Sequence, residues 1–169
     1  MHTVDSVLET ERLALRKLTA ADAPFIFELV NTPEWIKFIG NRNVNSLGDS
    51  KKYILKTLKT PHVDYWIVTL KEGRSSIGIV TLIKRTYLDY RDIGFAFLPS
   101  FCKKGYAFEA ASVVLGKALN LEGHVTILAT TLRENQNSIQ LLLKLGMQFL
   151  KEIRVEEEVL QIYSVSRLA

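Results

Sequence analysis

The stretch Asp92-Ile-Gly-Phe-Ala-Phe-Leu-Pro-Ser-Phe-Cys-Lys-Lys-Gly-Tyr-Ala-Phe-Glu-Ala-Ala111 decides the fold. Ile93 to Leu98 is rich in β-branched and aromatic residues and reads as a strand. From Gly105 onward the period changes, with Phe108, Ala111, Leu115, Ala118 and Leu119 recurring at helical spacing in the longest helix of the chain, ending near Gly123. A strand therefore enters a short loop that opens directly into a helix. A helix N-terminus leaves backbone N–H groups unpaired and carries partial positive charge, so it holds a phosphate where small residues let the ligand come close. Gly105 and Ala107 are such residues, and Lys103 and Lys104 add full charges beside them. The plainer alternative makes Gly105 a turn residue and the lysines a solvated pair.

Downstream, Thr126 to Leu132 reads as a buried strand. Asn135 or Asn137 then caps a helix through Ile139, Leu142, Leu143 and Leu145, and Gly146 ends it. Gln148 to Arg154 and Val159 to Ser166 form a hairpin. Upstream, Tyr65 to Leu70 and Ser76 to Ile83 join Ile93 to Leu98 in a three-strand meander, with Glu72-Gly73-Arg74 as the first turn. Before them come a strand over Glu11 to Leu18, alternating Leu13 and Leu15 with Arg12 and Arg16, and two helices. Thr19 with Asp22 opens the first helix, and Ser46 with Asp49 opens the second after a polar loop around Gly40 to Asn45; Pro61 closes the second. This order predicts an α/β fold, a central mixed, mostly antiparallel sheet flanked by helices, as one domain over residues 1–169.

Composition narrows the function. A chain with 47% hydrophobic and 24% charged residues can bury a full core without disulfides or metals. Cys102 is the only cysteine, no apolar run is long enough to cross a bilayer, and Met1 to Thr10 lacks the basic start and apolar centre of a secretory signal. These features point to the cytoplasm and away from membranes. The net charge of +4 comes from 22 basic and 18 acidic residues mixed along the chain, which argues against nucleic acid and suits a phosphorylated small molecule. His2, His62 and His124 lack metal-ligand spacing, so no metal site is expected. Cys102, beside a helix N-terminus, is open to thiolate character or to a plain loop role.

Cys102-Lys103-Lys104-Gly105-Tyr106-Ala107 resembles the acetyl-CoA loop of the GNAT superfamily, Gln/Arg-x-x-Gly-x-Gly/Ala. Both small positions match; Cys102 departs at the Gln/Arg position and Lys103 where relatives acting on protein N-termini usually carry glycine. Asn135-Gln-Asn-Ser-Ile-Gln-Leu-Leu-Leu-Lys-Leu-Gly-Met147 resembles the family's Asn-x-x-Ser-Ile…Lys-Leu-Gly-Phe. Glu11-Arg-Leu-Ala-Leu-Arg16 and Thr32-Pro-Glu-Trp-Ile-Lys-Phe-Ile-Gly40 look like the opening of the branch with ribosomal-protein N-terminal acetyltransferases.

The resemblance implies transfer of an acetyl group from acetyl-CoA to a primary amine, either a protein N-terminus or a small molecule, by direct attack in a ternary complex. It implies cofactor contacts from the main chain of Phe97 and Leu98, from Lys103, Lys104, Gly105, Tyr106 and Ala107, and from Asn135 and Ser138. Gly94 and Ala96 share a strand face along which a ligand or a packed helix can lie close. Many relatives use a tyrosine as proton donor two residues before the lysine that is Lys144 here; this chain has Leu142. Ser138 is then the donor candidate and Asp92, acting through a water, the base candidate. Trp35 to Leu47, Lys84 to Arg91 and, within them, Trp35 and Tyr87 are placed on the acceptor side. The absent tyrosine also leaves open a non-catalytic acyl-CoA-binding sensor of the same fold, and the chain acts as a monomer or homodimer.

Overall fold

The computed structural model describes residues 7–120 and 123–167. Residues 1–6, which include His2 and the start of the expected non-signal N-terminus, lie outside them, as do residues 121, 122, 168 and 169. Eight strands form one sheet: β1 (Leu8–Glu9), β2 (Leu13–Lys17), β3 (Val63–Leu70), β4 (Ser76–Ile83), β5 (Asp92–Phe97), β6 (Thr126–Leu132), β7 (Gln148–Val155) and β8 (Glu158–Ser166). The helices are α1 (Ala23–Val30), α2 (Pro33–Phe38), α3 (Leu47–Lys59), α4 (Tyr106–Asn120) and α5 (Gln136–Lys144).

Local chemistry sets most boundaries. Asp22 accepts from the Thr19 N–H at 2.9 Å in the turn before α1, and Arg16 holds the same carboxylate at 2.6 Å. The Thr32 and Ser46 side chains accept from the N–H of Trp35 and Asp49, capping α2 and α3. Asn135, not Asn137, caps α5. Two short elements differ from the sequence reading. β1 is too brief to show a period. Thr32 and Pro33 restart the chain as a separate helix, so three helices precede β3 instead of two.

The sheet order is β1-β2-β3-β4-β5-β6-β8-β7. Every neighbouring pair is antiparallel except β5 and β6. β8 turns back between β6 and β7, so the closing hairpin leaves β7 at the edge. Central strands are buried on both faces, which is why β3 and β4 read as apolar runs without clean alternation. Tyr65 and Ile67 face a core shared with α1, α2 and α3, whereas Trp66 and Val68 face the core under α4 and α5. Leu142 is 1% exposed within the second of these cores.

The β4–β5 ladder runs from Gly78↔Phe97 to Ile83↔Asp92. The Phe97 ring lies directly on Gly78, where a Cβ would come within 2.4 Å of it. Gly78→Ala is expected to displace Phe97 and destabilise the fold by about 1–3 kcal/mol, read as a lower denaturant midpoint at unchanged slope. An unchanged midpoint would show that the ring moves aside without cost.

Candidate functional site

β5 and β6 are parallel, so the segments that leave their carboxyl ends lead to the N-termini of α4 and α5 at the same end of the sheet. The two strands meet at one register pair, Asp92↔Leu128, with the Leu128 N–H donating to the Arg91 carbonyl at 2.9 Å. Beyond that pair each strand follows a different partner, β5 staying on β4 and β6 on β8. The result is a cleft that opens toward the two helix N-termini, the place where parallel strands generally present ligands.

Backbone alternation decides which groups line the cleft. The Leu98 N–H donates to the Ile77 carbonyl on the β4 side at 2.9 Å, and the Leu98 carbonyl accepts from Phe101 at 2.9 Å. Phe95 and Phe97, odd in the same alternation, turn their main-chain groups to the open side. Phe97 thus keeps main-chain groups on that side, with Cys102 Sγ 4.0 Å from its carbonyl, whereas Leu98 has both groups engaged and its 7% exposed side chain belongs to the core. Ala96 faces that same core, and a Cβ on Gly94 would meet Thr81 Oγ1 at 2.8 Å. The strip serves packing between strands and helices.

The loop after β5 makes one short helical turn at Pro99–Phe101 and then passes through left-handed φ at Lys103 (60°) and Gly105 (83°). The first helical bond of α4 runs from the Glu109 N–H to the Gly105 carbonyl at 3.1 Å. The N–H groups of Tyr106, Ala107 and Phe108 precede it and form the unpaired end that can cradle an anion. Lys103 and Lys104 are exposed beside it. Tyr106 is not open to the cleft along its ring: Arg12 lies 4.4 Å over it and Phe101 is at 6.4 Å. The Cys102 thiol is pushed up from its ordinary value by burial and by Glu34, with Lys103 acting the other way, so the thiolate reading fails.

At α5, the Asn135 side chain accepts from the Ser138 N–H at 3.2 Å. Asn135 Oδ1 is thereby engaged as the cap of α5. Its capping leaves the half-buried Ser138 hydroxyl without a partner among the described residues.

Asp92 sits at the closed end of the cleft, 3% exposed, with both oxygens 3.1 Å from Arg85 Nε and Thr130 Oγ1 at 3.5 Å. Burial pushes its carboxyl up, and Arg85 and Thr130 do not offset this. Burial pulls the Arg85 guanidinium down, but the charge and hydrogen bond of Asp92, together with Tyr87, outweigh it, so Arg85 is raised. The guanidinium gains from the pair, while the carboxylate facing one nitrogen does not recover its lost hydration. Asp92 thus ties the loop after β4 to the β5–β6 junction. That loop is pinned further by Leu88, buried against Leu128 and Ile162, and by Arg91 on Asp64 at 2.6 Å; Tyr87 is exposed. Trp35 is buried, its Nε1 without a partner among the described residues.

Residues 12–148 match the family described as Acetyltransferase (GNAT) domain. The chain belongs to the GNAT acetyltransferase family. It is 28% identical over 147 residues to the uncharacterized N-acetyltransferase YoaA of Bacillus subtilis (strain 168), covering 84% of this chain and 82% of that protein. It is 29% identical over 144 residues to YnaD of the same organism, covering 83% and 82%. Its fold matches the ribosomal-protein-S5-alanine acetyltransferase of Vibrio fischeri at TM-score 0.81 and 19% identity, over 96% of this chain and 97% of the other. A GNAT-family acetyltransferase of Bacillus anthracis superposes at TM-score 0.80 with 24% identity, over 95% and 98%. This GNAT chain is accordingly an acyltransferase, and no helix among its described residues is long and apolar enough to cross a membrane.

Arg12, Glu109 and Thr10 are the residues that sequence reasoning missed. Arg12 was placed only on the polar side of the first strand. Arg12 Nε donates to Glu109 Oε2 at 2.8 Å, its backbone N–H to Oε1 at 2.9 Å, and Thr10 Oγ1 to Oε1 at 2.7 Å. Burial pushes the Glu109 carboxyl up, but the bonds from Thr10 and Arg12 outweigh it, so it titrates below its ordinary 4.5. A carboxylate lowered on folding stabilises above its unfolded value and loses that contribution as the pH falls through the folded one. Wild type should therefore exceed Glu109→Gln in urea stability at neutral pH, with the gap closing below pH 4.5. A gap independent of pH would mean that the carboxylate charge contributes nothing.

Proposed function

We propose that this GNAT acyltransferase, acting as one domain over residues 1–169, transfers the acetyl group of acetyl-CoA to a primary amine by direct attack in a ternary complex. The reading rests chiefly on one observation: a cleft with unpaired main-chain groups of β5 on one side runs to an unpaired, lysine-flanked helix N-terminus. An extended amide-bearing arm matches the first part and a pyrophosphate the second. The main chain of Phe95 and Phe97 holds the arm as an added strand would be held. Gly105, Tyr106, Ala107 and Phe108 present N–H groups to the pyrophosphate, and Lys103 and Lys104 supply charge.

In the transfer the amine nitrogen forms a bond to the acetyl carbon, the carbon–sulfur bond breaks, the amine loses a proton and the thiolate gains one. Ser138 is assigned as the proton donor to sulfur, since Asn135 does the capping and the Ser138 hydroxyl is left unpaired. Asp92 is assigned the tie at the closed end of the cleft in place of general base, so the amine releases its proton to solvent and gains mainly from proximity. The acceptor is a protein N-terminus or a small-molecule amine. The likeness to the Vibrio fischeri ribosomal-protein acetyltransferase makes N-terminal peptides the first to try. A cytoplasmic location accords with that acceptor.

Titration calorimetry with acetyl-CoA is expected to give micromolar or tighter binding, with none for ATP or NAD. Gly105→Glu, which strains a left-handed residue and sets a carboxylate at the pyrophosphate, should weaken binding by about a hundredfold. Unchanged affinity would remove the assigned site. Ser138→Ala should lower kcat about a hundredfold while leaving the KM for acetyl-CoA nearly constant. Equal kcat would take the donor role from Ser138, and cofactor binding without turnover across an amine panel would favour the sensor function.

A further inference from the structure

Glu109 poses a problem for an anion site. Its carboxylate lies in the first turn of α4, on the residue whose N–H closes the first bond to Gly105, so a phosphate at the cradle faces a like charge about one helical turn away. Left alone, that charge would oppose the ligand.

The peptide joining Lys104 to Gly105 is the second constraint. It is trans, as every peptide bond in the described chain is. In a trans peptide the carbonyl and the N–H point in opposite directions. Whatever fixes the Lys104 carbonyl therefore also aims the Gly105 N–H.

One side chain meets both demands. Arg12 extends from the start of β2 to the α4 N-terminus, engages Glu109 through Nε at 2.8 Å, and donates from NH1 to the Lys104 carbonyl at 3.1 Å. Its plane lies 4.4 Å over the Tyr106 ring, and its NH2 is 3.3 Å from where a Gly105 Cβ would stand. Thr10 and the Arg12 backbone N–H bind the second Glu109 oxygen, so the guanidinium is held from the helix side as firmly as it holds the loop. A lysine could supply the charge but not the fork that serves a carboxylate and a carbonyl at once.

We propose that Arg12 is a positioning residue of the cofactor site: it cancels the charge of Glu109 and holds the Lys104 carbonyl away from the cradle, so that the Gly105 N–H and those after it face phosphate. This rests on the acetyl-CoA reading given above, and it assigns Arg12 to binding, not to the transfer step.

The test is acetyl-CoA affinity by calorimetry for wild type, Arg12→Gln, Arg12→Lys, Glu109→Gln and the Arg12→Gln/Glu109→Gln double variant, at a temperature where circular dichroism shows each folded. Arg12→Gln should bind about tenfold or more weakly, Arg12→Lys in between, and the double variant more tightly than Arg12→Gln because the unneutralised carboxylate is gone. In turnover the Arg12→Gln loss should fall on the KM for acetyl-CoA and not on kcat. A double variant as weak as or weaker than Arg12→Gln would make Arg12 a staple between strand and helix and overturn the inference, as would unchanged affinity in Arg12→Gln. Failure of wild type to bind acetyl-CoA would instead overturn the cofactor reading, and this inference with it.

Discussion

The single register pair between β5 and β6 is the constraint on which the rest of the site depends. β1 to β5 form one antiparallel system and β6, β8 and β7 another, and they touch along the strand direction only at Asp92↔Leu128. A full ladder would satisfy the inner main-chain groups of β5 and close the sheet. Because each strand instead follows its outer partner, and twisted sheets diverge as they run, the groups beyond Asp92 remain available. Part of the sheet is thus left unpaired, and the function proposed above assigns that part to an extended cofactor arm. The unpaired groups lie in a cleft where that arm can complete them.

That opening must be held without being filled, and ion pairs between distant segments do the holding. Arg85 on Asp92 secures the closed end, and Lys17 and Arg91 share Asp64 two strands further on. Arg16 fixes Asp22 at the entry to α1. Such pairs contribute little net stability when partly exposed, but breaking one leaves a charge where water reaches it poorly. Their shared effect is geometric: each carboxylate joins elements that are far apart in sequence. With these acids paired, the exposed Lys103 and Lys104 place part of the surplus of four positive charges beside the N-terminus of α4.

The two faces of the sheet divide the work. The α4–α5 face carries a core of small and branched residues, including Ala110, Ala111, Val114 and Leu142, on which α4 lies close enough for its N-terminus to meet the strand ends. The other face carries α1, α2 and α3 around Tyr65, Ile67 and Trp35. Glu34 on α2 is near enough to raise the Cys102 thiol, so α2 borders the loop after β5. The loop after β5 is therefore bordered by α2 from one face of the sheet and leads into α4 on the other.

Local chemistry written in the sequence determined the elements and much of the cradle. Periodicity and caps gave β4 and β6 to the residue, the Ser46 start, and a helix start at either Asn135 or Asn137, because each depends on neighbours a few positions away. What depends on neighbours far along the chain was decided only by tertiary structure. The helical restart at Pro33 needed the packing of α2 to distinguish it from a loop. Leu98 has the position of a main-chain ligand contact, yet Ile77 and Phe101 already take its N–H and carbonyl. Asp92 reads as a carboxylate at the start of a strand, and only folding brings Arg85 beside it. Arg12 reads as one polar position in an alternating strand, and only the approach of α4, 97 residues later, makes it the partner of Glu109. A charge takes its role from what folding sets within a few ångströms of it, and sequence spacing alone does not contain that distance.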